Sequence, residues 1–330
     1  IEDFKKTVMR NIIIKLLSLL AIFTLVKNSN DLGTYILILS ISTLLGNLLL
    51  WSYLKNLVNK PRWKELSVFS HLIPTLGLFI PQIATQVYLV LNKTMLGIMT
   101  TTNNVAYYEQ SDKIIKIVLA IVTAVGVVML PRVANMHANG DFKKVKEYLY
   151  FSFDFVSVIC FPMAFGLAAI APKFSIWFLG NEFAKTAELI PILTMVIIFI
   201  GWSNVLGTQY LLPTNQTNLY TASVVSGAVV NLILNIIMIP KYGVLGAVVA
   251  TVLSELSVTI TQFMFVRKEL QLFKLLREVW KYLFSSIVMF AFIRKLNNLM
   301  EGNFAQFCIQ IFLGMIIYGV LLIFLRTTII

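Results

Sequence analysis

The feature that most constrains this chain is a series of apolar runs, each about twenty residues long, separated by short loops that hold most of the charge. A helix of ~20 residues spans the ~30 Å hydrocarbon core of a bilayer. Inside that core each backbone polar group must find its partner within the segment, so runs of this length have to be helices. Ten spans are predicted: 8–26, 33–53, 72–98, 114–135, 148–172, 186–209, 218–240, 244–266, 279–296 and 304–326. The 279–296 run is the shortest and ends in Arg294 and Lys295. Composition agrees, because 58% hydrophobic and 13% charged residues leave too little polar surface for a soluble domain of this length. The fold class expected is an all-α integral membrane protein.

The net charge of +12 has a topological explanation and needs no nucleic-acid partner. Counted over alternate loops, 17 Lys and Arg residues fall on one side and 6 on the other. The positive-inside rule makes the richer side cytoplasmic, with both ends of the chain on it. The stretch "KELQLFKLLREVWK", 268–281, reads as an amphipathic helix on that surface, with Leu272, Leu275, Leu276 and Val279 on one face. Cys160 and Cys308 lie in separate apolar runs and offer neither metal spacing nor a disulfide framework. His71 and His137 are the only histidines, so no metal site is expected. The chain opens on Ile1: either it was processed or an N-terminal part is missing. Its first apolar run is too long for a cleavable signal peptide.

Polar residues inside the spans fall on stripes. Gln82, Gln86 and Lys93 lie within about 40° of one another at 100° per residue. Pro74 and Pro81 should bend the same span. Glu109, Asp112, Lys116 and Thr123 share a second stripe with Lys113 beside it; Thr251, Glu255, Thr259 and Gln262 form a third; Asn231 and Asn235 pair in a fourth. Lipid does not tolerate such stripes, which must face the bundle interior or a watered cavity. Each has a plainer reading. Lys93, Lys113 and Lys116 are close enough to the outer membrane face to snorkel, and Lys15 to the inner one. Asn231 and Asn235 suit interhelical hydrogen bonds. Asp154, one or two turns into its span, can be wetted from the cytoplasm. Glu255, the deepest charge, is protonated, paired or functional.

These residues carry a resemblance. "NLILNIIMIPKYGVLGAVVATVLSE", Asn231 to Glu255, resembles the signature of bacterial polysaccharide-unit flippases. "LNKTMLG", "VAYYEQSDKI" and "VMLPRV" are similar to that family's seventh and eighth spans, and "MRNIIIKLLSLLAIFTLVKNSNDLGTY" to its fifth. The ordered set covers almost the whole chain. The family shares the MOP superfamily with the multidrug and toxin extruders and the lipid II flippase. The resemblance implies two six-helix lobes around a central cavity, a MATE-like fold, with the first four spans lacking here. Residues 1–65 would then complete a partial first lobe, 66–268 form the second six-helix lobe, and 269–330 supply a connector and a C-terminal helix pair. The turn itself agrees: Gly243 and Gly246 permit a tight connection, Pro240 should end the first helix, and Gly246, Ala247, Ala250 and Ser254 should pack the pair closely.

The function so implied is a flippase, not an enzyme, in the bacterial cytoplasmic membrane. It would move undecaprenyl-diphosphate-linked oligosaccharide by alternating access, beside membrane lipid and with a polysaccharide polymerase and other assembly proteins as partners. Lys93, Lys113 and Lys116 would hold the phosphates or acidic sugars, and Gln82 and Gln86 the sugar hydroxyls. Pro81, Pro162, Gly166 and Pro191 are candidate bending points. Glu255 is the candidate for coupling to H+ or Na+, with a structural hydrogen bond to Asn231 or Asn235 as its alternative; no other cofactor is expected. Competing readings are a multidrug or cation antiporter, an intramembrane glycosyl- or acyltransferase, and a remnant without function.

Overall fold

A computed structural model describes residues 4–54, 70, 72, 75, 79 and 90–329. The chain divides into two compact units, Ile1–His71 and Leu72–Ile330. All regular structure among the described residues is helical.

The first unit is a hairpin of α1 (Phe4–Leu25) and α2 (Leu32–Leu54). Asp31 closes its turn, with Oδ2 accepting the backbone N–H of Lys27 at 2.9 Å and of Asn28 at 3.0 Å. Outward-facing side chains such as Leu20 and Phe23 are 61% and 69% exposed, as suits a surface solvated by hydrocarbon.

The second unit begins, within the described residues, with α3 (90–99). It continues through α4 (Thr102–Ala138) and α5 (Phe142–Leu179), helices of 37 and 38 residues. At 1.5 Å per residue each is about 55 Å long, well beyond the hydrocarbon. The predicted spans 114–135 and 148–172 are only their apolar middles. The polar flanks "TNNVAYYEQSDK" and "FKKVKEYLY" contain no helix breaker, so the helices run on through them.

The next span is interrupted: α6 (Thr186–Leu193), α7 (Met195–Ser203) and a π-helical segment, Asn204–Leu211. The two helices part at Thr194, whose hydroxyl bonds the Pro191 carbonyl at 2.8 Å. Pro162 and Gly166, by contrast, lie within the unbroken α5.

α8 (Thr217–Tyr242) and α9 (Val244–Val266) form a close antiparallel pair. Pro240 does not end α8. It sits in the last turn, and the helix ends two residues later at Tyr242, followed by Gly243, whose φ of 58° lies in the left-handed region. Gly246, Ala247, Ala250 and Ser254 are buried at the contact.

The predicted surface helix 268–281 is shorter than its pattern suggests. A turn follows α9, then α10 covers only Leu272–Leu276, and α11 (Val279–Leu299) already begins at Val279. Leu275 is buried against the bundle, whereas Phe273 and Trp280 project outward. Glu278 starts α11 and pairs with Lys281 at 2.7 Å and Arg277 at 3.2 Å. α11 and α12 (Phe304–Phe324) pack on α5. Buried polar bonds fix them: Asn297 to Gln310 at 3.0 Å, and the Tyr318 hydroxyl to the Val158 carbonyl at 3.0 Å. Thr328 reaches Asp154 at 3.4 Å from the C-terminal side.

Eight of the ten expected spans are present as helices long and apolar enough to cross a membrane. The 72–98 span lies mostly outside the described residues. The 279–296 run does form a helix, α11, but Lys281, Arg294 and Lys295 leave it too polar to count with the others.

Candidate functional site

The third polar stripe faces inward. Thr251, Ser254, Glu255, Thr259 and Gln262 are all buried along one side of α9. Asn231 and Asn235, one turn apart on α8, face them and are fully buried. They belong to a larger network. Asn235 Nδ2 donates to Asn231 Oδ1 at 2.9 Å and to Asn92 Oδ1 on α3. Asn92 Nδ2 donates to the Tyr108 hydroxyl at 3.0 Å and to Thr251 Oγ1 at 3.2 Å; those two hydroxyls are 2.9 Å apart. Asn231 Nδ2 points to Ser254 Oγ at 3.4 Å. Four helices are thereby joined in the interior through amide and hydroxyl groups. Such a network rigidifies the lobe where its members are satisfied.

Beside it lies a cavity of about 240 Å³. Asp112 and Lys116 on α4, Asn204 and Thr208 in the π-helical segment, Tyr220 on α8 and Glu255 on α9 line it, among apolar walls. Lys116 pairs with Asp112, one turn before it, at 2.6 Å. Glu255 is 5% exposed and lines this space. The π-helical geometry interrupts regular i→i−4 bonding, which is how single helices commonly present polar groups at functional positions. A close approach holds Asn204 in place: a Cβ on Gly126 would fall 2.2 Å from its Oδ1.

The three lysines do not stand as free cations. Lys93 forms an ion pair with Glu109, and Lys113 lies 3.6 Å from the same carboxylate. Two lysines therefore share one glutamate, leaving a single formal positive charge on a cluster that is a third to a half exposed. Lys116 is neutralised by Asp112. Lys116 and Glu255 share the cavity, while Lys93 and Lys113 meet at Glu109. Gln82, Gln86, Pro74 and Pro81 lie outside the described residues.

Several polar groups were missed in the sequence. Asn92 stands about 100° off the stripe that ends at Lys93. Tyr108 and Tyr220 lie on none of the polar stripes. The first unit also holds its own cleft of about 400 Å³, where Arg10, Asn11, Lys15 and Ser18 on α1 face Thr43 and Asn47 on α2. The spacing of Asn11, Lys15 and Ser18 is helical and carried the signal; Lys15 was expected to do no more than pad the rim.

Comparison with known proteins agrees with this architecture. The chain is 25% identical over 225 residues to the probable low-salt glycan biosynthesis flippase Agl15 of Haloferax volcanii, covering 68% of this chain and 48% of that protein. It is 22% identical over 268 residues to a putative O-antigen transporter of Shigella dysenteriae, covering 79% and 65%. The chain thus spans between half and two thirds of the length of these relatives. A solved structure of the lipid II flippase MurJ, in an inward closed conformation, superposes with a TM-score of 0.73 at 19% identity, over 90% of this chain and 63% of that one. This likeness shows the fold. The family model of the lipid II flippase MurJ matches residues 14–319, and the chain, a multi-pass membrane protein, belongs to that family.

Proposed function

We infer that this chain works in a flippase that carries a lipid-linked oligosaccharide across the cytoplasmic membrane, with an undecaprenyl-diphosphate lipid as the carrier. The observation that carries this reading is the inward polar surface of the second unit, which continues from the amide and hydroxyl network to a cavity bearing charge. A transported head group needs such a surface, because a diphosphate in low dielectric is strongly disfavoured without compensating charge. Family membership supports the same reading over a cation antiporter or an intramembrane transferase.

The Lys93–Glu109–Lys113 cluster gives the anion its binding place. Its one excess positive charge attracts phosphate, and an arriving phosphate competes with Glu109 for the two ammonium groups. Release is then favoured by the same carboxylate, which takes the lysines back. Glu255, within the cavity that also holds Asp112 and Lys116, is the group through which H+ or Na+ would bias the exchange between inward and outward states.

The test is surface display of polysaccharide in cells deleted for their own flippase and complemented with the protein, its abundance checked by immunoblot. Lys93→Gln removes the charge and should reduce display at unchanged abundance. Loss of a charge-assisted contact costs ~1.5–3 kcal/mol, roughly ten- to hundredfold in binding. Lys93→Arg should retain more activity. Full display by Lys93→Gln at wild-type abundance would refute the role.

A further inference from the structure

At the far end of the second unit from the Lys93 cluster, the start of α5 and the connector after α9 enclose a separate cleft of about 240 Å³, the volume of about eight waters. Lys143 and Lys146 reach it from the first turns of α5, and Lys274 from α10. These three face two carboxylates, Glu147 and Glu269, leaving a formal charge of +1. The carboxylate of Glu269 is already engaged. It accepts the Tyr210 hydroxyl at 2.6 Å and the Gln216 amide at 3.0 and 3.2 Å. The neighbouring Lys144 is taken by Asp141 at 2.9 Å, whereas among the described residues Lys143 and Lys146 pair with no carboxylate.

The cleft is held in shape. Tyr150 accepts the backbone N–H of Gln271 at 3.0 Å, and its ring supports the Lys274 ammonium 4.5 Å from the centroid. The connector is thereby tied to α5, and among the described residues Lys274 forms no ion pair. Large exposed aromatic residues stand next to the cleft residues in the chain without lining it: Phe142 before Lys143, Phe151 after Tyr150, and Phe273 before Lys274, the last 82% exposed. Lysines and exposed aromatic rings at one end of the helices match the boundary of a bilayer. The rings enter the acyl region, and the lysines lie level with lipid phosphates.

We propose that this cleft is a binding site for an anionic phospholipid of the surrounding leaflet, with Lys143, Lys146 and Lys274 holding its phosphodiester. The occupant is lipid rather than a soluble phosphate because exposed aromatic side chains stand at the same end of the helices as the lysines, the arrangement of a bilayer boundary. The site is distinct from the cavity read as the transport path and does not depend on the identity of the transported molecule.

The experiment is native mass spectrometry of the purified full chain in detergent, doped with phosphatidylglycerol or phosphatidylcholine. Phosphatidylglycerol should be retained preferentially. At about fivefold per lysine near an anionic lipid, Lys143→Ala/Lys146→Ala should weaken that retention by roughly twentyfold or more and leave phosphatidylcholine unchanged. Lys185→Ala/Lys241→Ala, at the opposite ends of the helices, should change nothing. Lys143→Arg/Lys146→Arg keeps the charge and should keep the lipid, which separates loss of charge from loss of folding. Equal retention by the alanine and control variants overturns the proposal, as does loss of lipid from the arginine variant. Displacement of phosphatidylglycerol by millimolar inorganic phosphate or glycerol phosphate also overturns it and assigns the cleft to a soluble anion.

Discussion

Asn92 does more for the interior than any residue the polar stripes pointed to. Its amide accepts from Asn235 and donates toward Tyr108 and Thr251, so one side chain joins α3 to α4, α8 and α9. Replacing it with leucine keeps the approximate volume but leaves one buried Asn235 N–H without an acceptor and takes a donor from Tyr108 and Thr251, which keep each other. Each buried group left unsatisfied costs ~1–3 kcal/mol. Asn92→Leu should therefore lower the thermal unfolding temperature of the purified protein by many degrees, while Thr94→Leu, on an exposed position of the same helix, should have little effect. Comparable unfolding temperatures for the two variants would show that the network contributes no net stability. The sequence revealed Asn231 and Asn235 because their four-residue spacing stands out in an apolar run. It hid Asn92 because that residue adjoins Lys93 and lies on another side of the helix. The Lys93–Glu109 ion pair was hidden for a different reason. Lys93 and Glu109 lie on different helices, and periodicity within one helix cannot say which charges meet across two.

At the scale of elements, close helix packing was legible and helix ends were not. The run from Gly243 to Ser254 places small residues at helical spacing, which anticipates the α8–α9 contact. The structure gives it a distance: a Cβ on Gly246 would lie 2.3 Å from the Met238 carbonyl oxygen, a backbone atom that cannot swing aside. Gly246→Ala should consequently destabilise the pair by ~1–3 kcal/mol, the usual cost of overpacking. Gly319, inside α12, is the matched control. Nothing lies within 4 Å of a Cβ added there, so Gly319→Ala should stabilise by about 0.5–1 kcal/mol through helix propensity alone. Thermal unfolding of both variants checks the pair, and a Gly246→Ala protein as stable as the wild type would mean that the α8–α9 contact has room to relax. The ends of α4, α5 and α10 escaped the sequence reading because hydropathy marks where a helix enters lipid, not where it stops. "KELQLFKLLREVWK" has amphipathic spacing throughout, yet Leu275 is buried against α5 and α11 starts at Val279, so packing divides what the pattern joins.

At the scale of the whole molecule, the pattern of basic loops becomes an arrangement in space. Lys143 and Lys146 lie in the first turns of α5, and Lys274 in the connector after α9, more than a hundred residues later. Counting alternate loops assigned both to one side, and in the structure they line one cleft. At the other end of α5, Lys173 donates to the Asn298 carbonyl at 3.0 Å, which brings that end to the α11–α12 turn, a loop counted on the opposite side. Charge asymmetry and helix direction therefore agree over α4 to α12. The excess of basic residues predicts a cytoplasmic side for the end holding Lys143 and Lys274. The measurement starts from a Cys160→Ala/Cys308→Ala background, with single cysteines introduced as Asn139→Cys, Asn181→Cys, Lys268→Cys and Glu301→Cys. A membrane-impermeant maleimide applied to intact cells should label the cysteines at 181 and 301. Those at 139 and 268 should react only after the membrane is permeabilised. Labelling of either of the latter two from outside would invert the orientation, and with it the leaflet whose anionic lipids reach the α5 cleft.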